Sequence, residues 1–405
     1  MLATFTSLAF AAAVIGAAPD ELTGRVTDAN DSPISQATVA IIKAAPSEGT
    51  GTIAETDYPD CVKTTKTDVD GNFRFADLQD GLKFQLIASK LGHLPTKTEF
   101  VAGGGENVSI QLTDVDLDLP NNRKLTARVV DEEGNAVVGA QVYPFGGKTD
   151  RRRWWGPMQN LDQIAVTDEH GRFHMTSSEP MLGMDVKVYA RGFVPLKSDL
   201  LELTGMEHTI RMKRGAAVSG VLQLDGKPVA NQVLGIVQCD RGHATFVGRQ
   251  KISTAEDGTF KFSNLPPNYE MALYSLCDPS FPAPVLKTIK FRTPANGKTT
   301  DLGVRSMMWG LSITGKIETP NESEIPKGAR LTFGRDPAWD SVQVPIQTDG
   351  TFVATALPPE VYRITVRIHG LDVDQQKLNY QMIGENRFGL RLRSDLQLSI
   401  PMVQP

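Results

Sequence analysis

The stretch that decides the fold is Thr67-Asp68-Val69-Asp70-Gly71-Asn72-Phe73-Arg74-Phe75, because related text returns at Thr167 (TDEHGRFHM), at Thr254 (TAEDGTFKF) and at Gln347 (QTDGTFVAT). Asp-Gly pairs accept positive φ at little cost, and apolar residues alternate directly afterwards, so each copy reads as a tight β-hairpin. Phe73 and Phe75 fall on one face with Arg74 opposite. The same period of two places Phe173 and Met175 around His174, and Phe260 and Phe262 around Lys261. A Leu follows at the same offset in three copies (Leu78, Leu265, Leu357), where the second has Ser178.

The likeness extends upstream of each turn. Strand-turn-strand text beginning at Leu22, Leu125, Val218 and Ile313 aligns in all four copies, so the repeating unit is a whole domain. Its period of roughly 90 to 100 residues exceeds that of a solenoid unit and suffices for a small sandwich with its own core. The expected fold is all-β: a tandem array of four Ig-like or prealbumin-like β-sandwiches strung as separate beads, with few helices. Expected boundaries are a signal peptide at 1–18 and domains at 19–112, 123–214, 215–304 and 305–405, the last diverged. An acidic, proline-containing linker follows the first domain.

A net charge of −5 over 405 residues gives no electrostatic footprint for nucleic acid or an anionic membrane surface. The apolar run from Leu8 to Ala18 is too short to span a bilayer and ends in small residues, which reads as a secretory signal peptide, although no Lys or Arg precedes it. Export to the periplasm, the cell surface or the medium is expected, with no transmembrane span in the mature chain. Three cysteines are too few for a disulfide framework and lack zinc spacing. Cys239 and Cys277 share a repeat, which invites a bridge, yet antiparallel neighbouring strands would put them at opposite poles. Cys61 is read as unpaired.

The pattern carried by Gly24, Val26, Asp28, Pro33, Ile34, Ala37, Val39, Thr67, Asp68, Gly71, Phe73, Phe75 and Leu78 resembles the carboxypeptidase regulatory-like domain, a relative of transthyretin-like and Cna-B-like sandwiches. The third copy follows it through Gly220, Asp225, Pro228, Val229, Gly258, Phe260, Phe262, Leu265 and Tyr269; the fourth retains Ile317 and Ala329. The resemblance implies an accessory, carbohydrate-binding-like module of exported peptidases, receptors or surface proteins. Its motif consists of turn and core residues and is nearly silent on function.

No catalytic constellation is legible, no cofactor is expected, and the chain reads as non-enzymatic. None of the six histidines starts the H-x-x-E pair of the family's zinc peptidases. His170 and His174 would converge on a helix but lie on a turn and a strand, so no metal site is expected. Asp68, Asp70 and Gly71 faintly echo a calcium loop, with Lys66 at its first ligand position. G-x-S-x-G, P-loop and H-E-x-x-H motifs are absent. No Lys-Asn-acid trio for an isopeptide bond aligns.

Recognition is therefore expected in the loops where the copies differ. Three loops join Arg, Asp and an aromatic residue: Arg151 with Asp150 and Trp154, Arg241 with Asp240 and Phe246, Arg335 with Asp336 and Trp339. The candidate ligand-binding residues are Arg151, Arg152, Arg153, Trp154, Trp155 and Trp339. Indole faces stack on sugar rings and guanidinium groups bind hydroxyls or carboxylates, so carbohydrate leads as the ligand class. Against this stands packing of each Trp on its own sheet or a neighbouring domain. Trp309 is read as interdomain packing. The alternative function is a spacer or adhesin-like surface protein whose partner is another exported protein, or an accessory module of an exported peptidase system.

Overall fold

The computed structural model describes residues 20–47, 63–90, 92–104, 108–114, 118–156, 164–242, 246–336 and 338–404. The signal-peptide segment, Cys61 and most of the loop after Lys43 lie outside the described residues. Within them the chain is β throughout, broken only by 3-10 turns at Asn121–Arg123 and Pro320–Glu322. No described helix is long and apolar enough to cross a membrane.

The first unit shows the plan. Its strands are β1 (Asp20–Thr27), β2 (Thr38–Pro46), β3 (Thr64–Lys66), β4 (Asn72–Leu78), β5 (Leu82–Ser89), β6 (His93–Leu94), β7 (Thr96–Ala102), β8 (Val108–Gln111) and β9 (Thr113–Asp114). One sheet has the order β4-β1-β8 and the facing sheet β3-β2-β5-β7, with β6 and β9 paired apart. Alternation along the strands supplies the filling, so that Leu22, Val26, Phe73, Phe75, Phe84 and Leu86 pack between the sheets.

This corrects the reading of the repeated turn as a hairpin. β3 pairs with β2 and β4 with β1, so the turn carries the chain from one sheet to the other. Its chemistry is that of a corner. Thr67 Oγ1 donates to the Ile34 carbonyl (2.6 Å) and accepts from the Ala37 amide (2.8 Å). Asp68 Oδ1 accepts from the amides of Asp70 (2.9 Å) and Asn72 (2.8 Å). These bonds, the Asn72 amide foremost, hold the Asp68 carboxyl below its ordinary pKa. Gly71, and not Asp70, carries the positive φ, at 78°. Thr167 and Thr254 repeat the Thr67 bonds, whereas the fourth copy places Ile346 there and bridges it to Phe352.

The other units keep this order, with a first strand between an antiparallel and a parallel neighbour. Lys124–Val130 lies between Arg172–Thr176 and Glu207–Arg211. Ala216–Leu224 lies between Thr259–Leu265 and Thr299–Ser306, so the third sheet runs past Val304. Leu311–Glu318 lies between Thr351–Leu357 and Leu396–Val403. Each unit closes over a separate apolar core.

The units are not loose beads, however, because consecutive ones are in direct contact. Ala40, Ile42 and Ile87 of the first pack against Ile164 and Val166 of the second, where the buried Gln141 amide donates to the Ile42 carbonyl at 3.0 Å. The next seam is polar: Asn264 Oδ1 accepts from the Gly192 amide at 2.7 Å, and Asn296 Nδ2 donates to Glu132 at 3.1 Å. Between third and fourth, Val237, Ala272 and Tyr274 cover Ala338.

Candidate binding surfaces

The Arg-Trp stretch, expected as a loop, is a β-ribbon. Gln141–Lys148 turns at Thr149 and returns as Arg153–Trp155, in the register Gly146↔Trp155, Gly147↔Trp154 and Lys148↔Arg153. The Thr149 amide donates to the Arg152 carbonyl at 2.9 Å and closes the turn. Alternation then separates the two indoles. Trp154 is half-buried against the second core, with the Arg152 guanidinium 4.9 Å from its ring centroid. Trp155 is 61% exposed.

Beneath Trp155 the ribbon holds a charged stack. Asp185 is buried, and its Oδ1 accepts from Arg153 at 2.7 Å. The Arg153 guanidinium lies 5.2 Å from the Trp155 ring centroid. A buried carboxylate thus fixes a cation, and the cation fixes an exposed aromatic face. Arg151 and Arg152 stand exposed at the tip.

Trp339 belongs to a different neighbourhood. It is 46% exposed, edge-on to Phe246 at 4.8 Å, with Arg241 5.5 Å from its ring centroid. Both contacts come from the preceding sandwich, so part of this ring serves the seam. Trp309 corrects another expectation: its backbone pairs with Pro284 of the third unit, but its side chain is 59% exposed and does not fill the seam.

Arg335 departs most from the sequence reading, which set it in a recognition loop. It ends the strand Arg330–Arg335, and its side chain has no solvent exposure. Its guanidinium pairs with Asp340 (3.2 Å) and Glu360 (3.1 Å) of its own sandwich and donates to the Ser275 carbonyl (2.9 Å) of the preceding one. Glu360 also accepts from the Thr288 amide of that neighbour at 2.5 Å. Burial opposes the charge, and Cys277 and Glu360 more than restore it, leaving the Arg335 pKa above the ordinary arginine value. Cys277, 3.2 Å from this guanidinium, is pushed up to about 11 by burial. Cys277 and Cys239 are free thiols. The register Leu234↔Ser275 to Gln238↔Met271 sets them at opposite ends of the strand pair.

Neither histidine pair nor turn carboxylates assemble a metal centre: among the described residues no group of three or more His, Cys, Asp or Glu side chains converges as a ligand set. Asp68 Oδ1 accepts from the two corner amides, and its Oδ2 accepts from Asn72 Nδ2 at 3.4 Å.

Against known families, the first sandwich finds a match. Residues 21–113 match the family model of the carboxypeptidase regulatory-like domain. The other units repeat the corner of this regulatory-like domain with the substitutions described above. No curated protein matches the chain. Among solved structures, the Bacillus anthracis TIE protein aligns at 13% identity over 96% of this chain and 75% of its own, with a TM-score of 0.19. The streptococcal ancillary pilin aligns at 10% identity over 71% of this chain and 99% of its own, TM-score 0.23. BcpA, the major pilin subunit of Bacillus cereus, aligns at 12% identity over 71% and 99%, TM-score 0.20.

Proposed function

We propose that the chain is a non-enzymatic exported protein of spacer or adhesin type, which holds protein-binding surfaces in fixed relation along a series of sandwiches. The observation that carries this reading is Arg335, a fully buried charge satisfied jointly by two units. Removing one partner of such a network leaves the remaining charges buried and uncompensated, at a cost of about 3 kcal/mol or more. A flexible tether has no use for that rigidity; a spacer does. Small-angle scattering tests it. Arg335→Met is expected to broaden the distribution of interatomic distances while strand content by circular dichroism stays unchanged, and an unaltered scattering profile would count against the reading.

A second reading has its own support. The Asp185-Arg153-Trp155 stack presents an aromatic face beside a cation, an arrangement suited to a sugar ring bearing hydroxyl or carboxylate groups.

A further inference from the structure

The strand Val361–Arg367 lies in the middle of a five-stranded sheet, between Arg330–Arg335 on one side and Arg387–Arg391 on the other. Tyr362, Ile364, Val366, Leu331, Phe333, Phe388 and Leu390 point inward and are buried. The alternate residues therefore face out, and five of them are exposed arginines: Arg330, Arg363, Arg367, Arg387 and Arg391.

Register sets their spacing. Val361 faces Arg391, Arg363 lies between Gly334 and Gly389, Thr365 faces Arg387, and Arg367 faces Arg330. The guanidinium groups follow a zigzag along the strand direction, one about every 7 Å, over a length of about 20 Å. The remaining outward positions on these three strands are Thr332, Gly334, Val361, Thr365 and Gly389, with no carboxylate among them. Arg363 pairs with Asp336 at the rim. Among the described residues, no acidic side chain comes within ion-pair distance of Arg330, Arg367, Arg387 or Arg391. Arg330 and Arg367 are direct cross-strand neighbours, an arrangement of like charges that costs stability. They also line a cleft of about 450 Å³ with His369, Gly370 and Asp372, whose Oδ1 accepts from Asn386 Nδ2 at 2.7 Å.

Gly334 and Gly389 are not demanded by the fold. Neither has a positive φ, and an added Cβ would meet nothing nearer than the Arg363 carbonyl at 3.4 Å and Ile383 at 4.0 Å. Mid-strand glycine weakens a sheet, and here it leaves both flanks of Arg363 bare. In the first and third sandwiches the same outer face is apolar and covered by the next unit.

We propose that this face binds a linear anionic polysaccharide, its carboxylate or sulfate groups engaging successive guanidinium groups along the stripe. A row of charges suits a chain better than a single small anion, and Arg binds planar oxyanions bidentately. Single-stranded nucleic acid is disfavoured because no aromatic residue stands among the outward positions to stack on a base.

The test uses the full chain over immobilised heparin and polygalacturonate, with single-stranded DNA as the competing class. Expected is binding to at least one of the two glycans that weakens as salt is raised. Arg330→Gln/Arg367→Gln should lose about tenfold in affinity, with a melting temperature no lower than that of the wild type, whereas Arg211→Gln/Lys213→Gln, an exposed pair on the second sandwich, should change less than about twofold. If the first pair disturbs folding, Arg387→Gln/Arg391→Gln on the adjacent strand must show the same loss. Absence of glycan binding at low salt, equal loss in the control pair, or tighter binding to DNA would each overturn the proposal.

Discussion

A backbone oxygen decides what residue 71 can be. A Cβ there would lie 2.5 Å from the Val26 carbonyl, in a conformation with φ of 78°. Gly171, Gly258 and Gly350 meet the equivalent carbonyls of Val129, Leu222 and Ile317 at 2.4, 2.5 and 2.4 Å. Gly71→Val or Gly258→Val should therefore lower stability by about 1 to 3 kcal/mol, read from thermal denaturation, without altering ligand affinity of the folded fraction. His174 offers a pH-dependent counterpart. Half-buried on the strand Arg172–Thr176, it has a pKa held below its ordinary 6.5, chiefly by burial. Below that ordinary value the unfolded chain takes up a proton that the folded chain resists, so this contribution to stability is complete above 6.5 and declines as the medium is acidified. A melting series between about pH 8 and 5 should show a shallower decline in His174→Gln than in the wild type.

At the scale of elements, alternation told which face each strand would bury: Phe73 and Phe75 are each 4% exposed. It could not tell which strand would be the partner, because a period of two describes sides and not neighbours. For that reason the corner at Gly71 reads as a hairpin in sequence, and Arg335 reads as a loop residue because a charge beside a turn carries no sign of its buried partners. The Arg-Trp ribbon was legible in composition but not in geometry. Its alternation gives the two indoles opposite duties, so Trp154→Ala should lower the melting temperature, by about 2 kcal/mol or more in stability, through loss of contact with the second core. Trp155→Ala should leave melting nearly unchanged and remove any glycan-array signal that depends on the stack. Equal effects from both substitutions would mean that the ribbon does not present Trp155 as a separate face.

Across the whole molecule, the four-fold repetition was plain in the sequence, while the seams were not. Ala40, Ile42 and Ile87 carry the same apolar signature as core residues, and nothing in a single sequence says that they face a neighbouring unit. The arginine stripe is likewise not legible in the sequence, since its members come from separate segments and meet only through register. The parallel pairing of first and last strands has a further consequence. In every unit, as in β1 against β8, the two strands through which the chain enters and leaves run side by side in the same direction. Tension applied along the chain would draw these strands past each other lengthwise, loading all the hydrogen bonds between them at once instead of unzipping them singly. Each sandwich is thus built as a shear joint, able to bear mechanical force between whatever its two ends are fastened to.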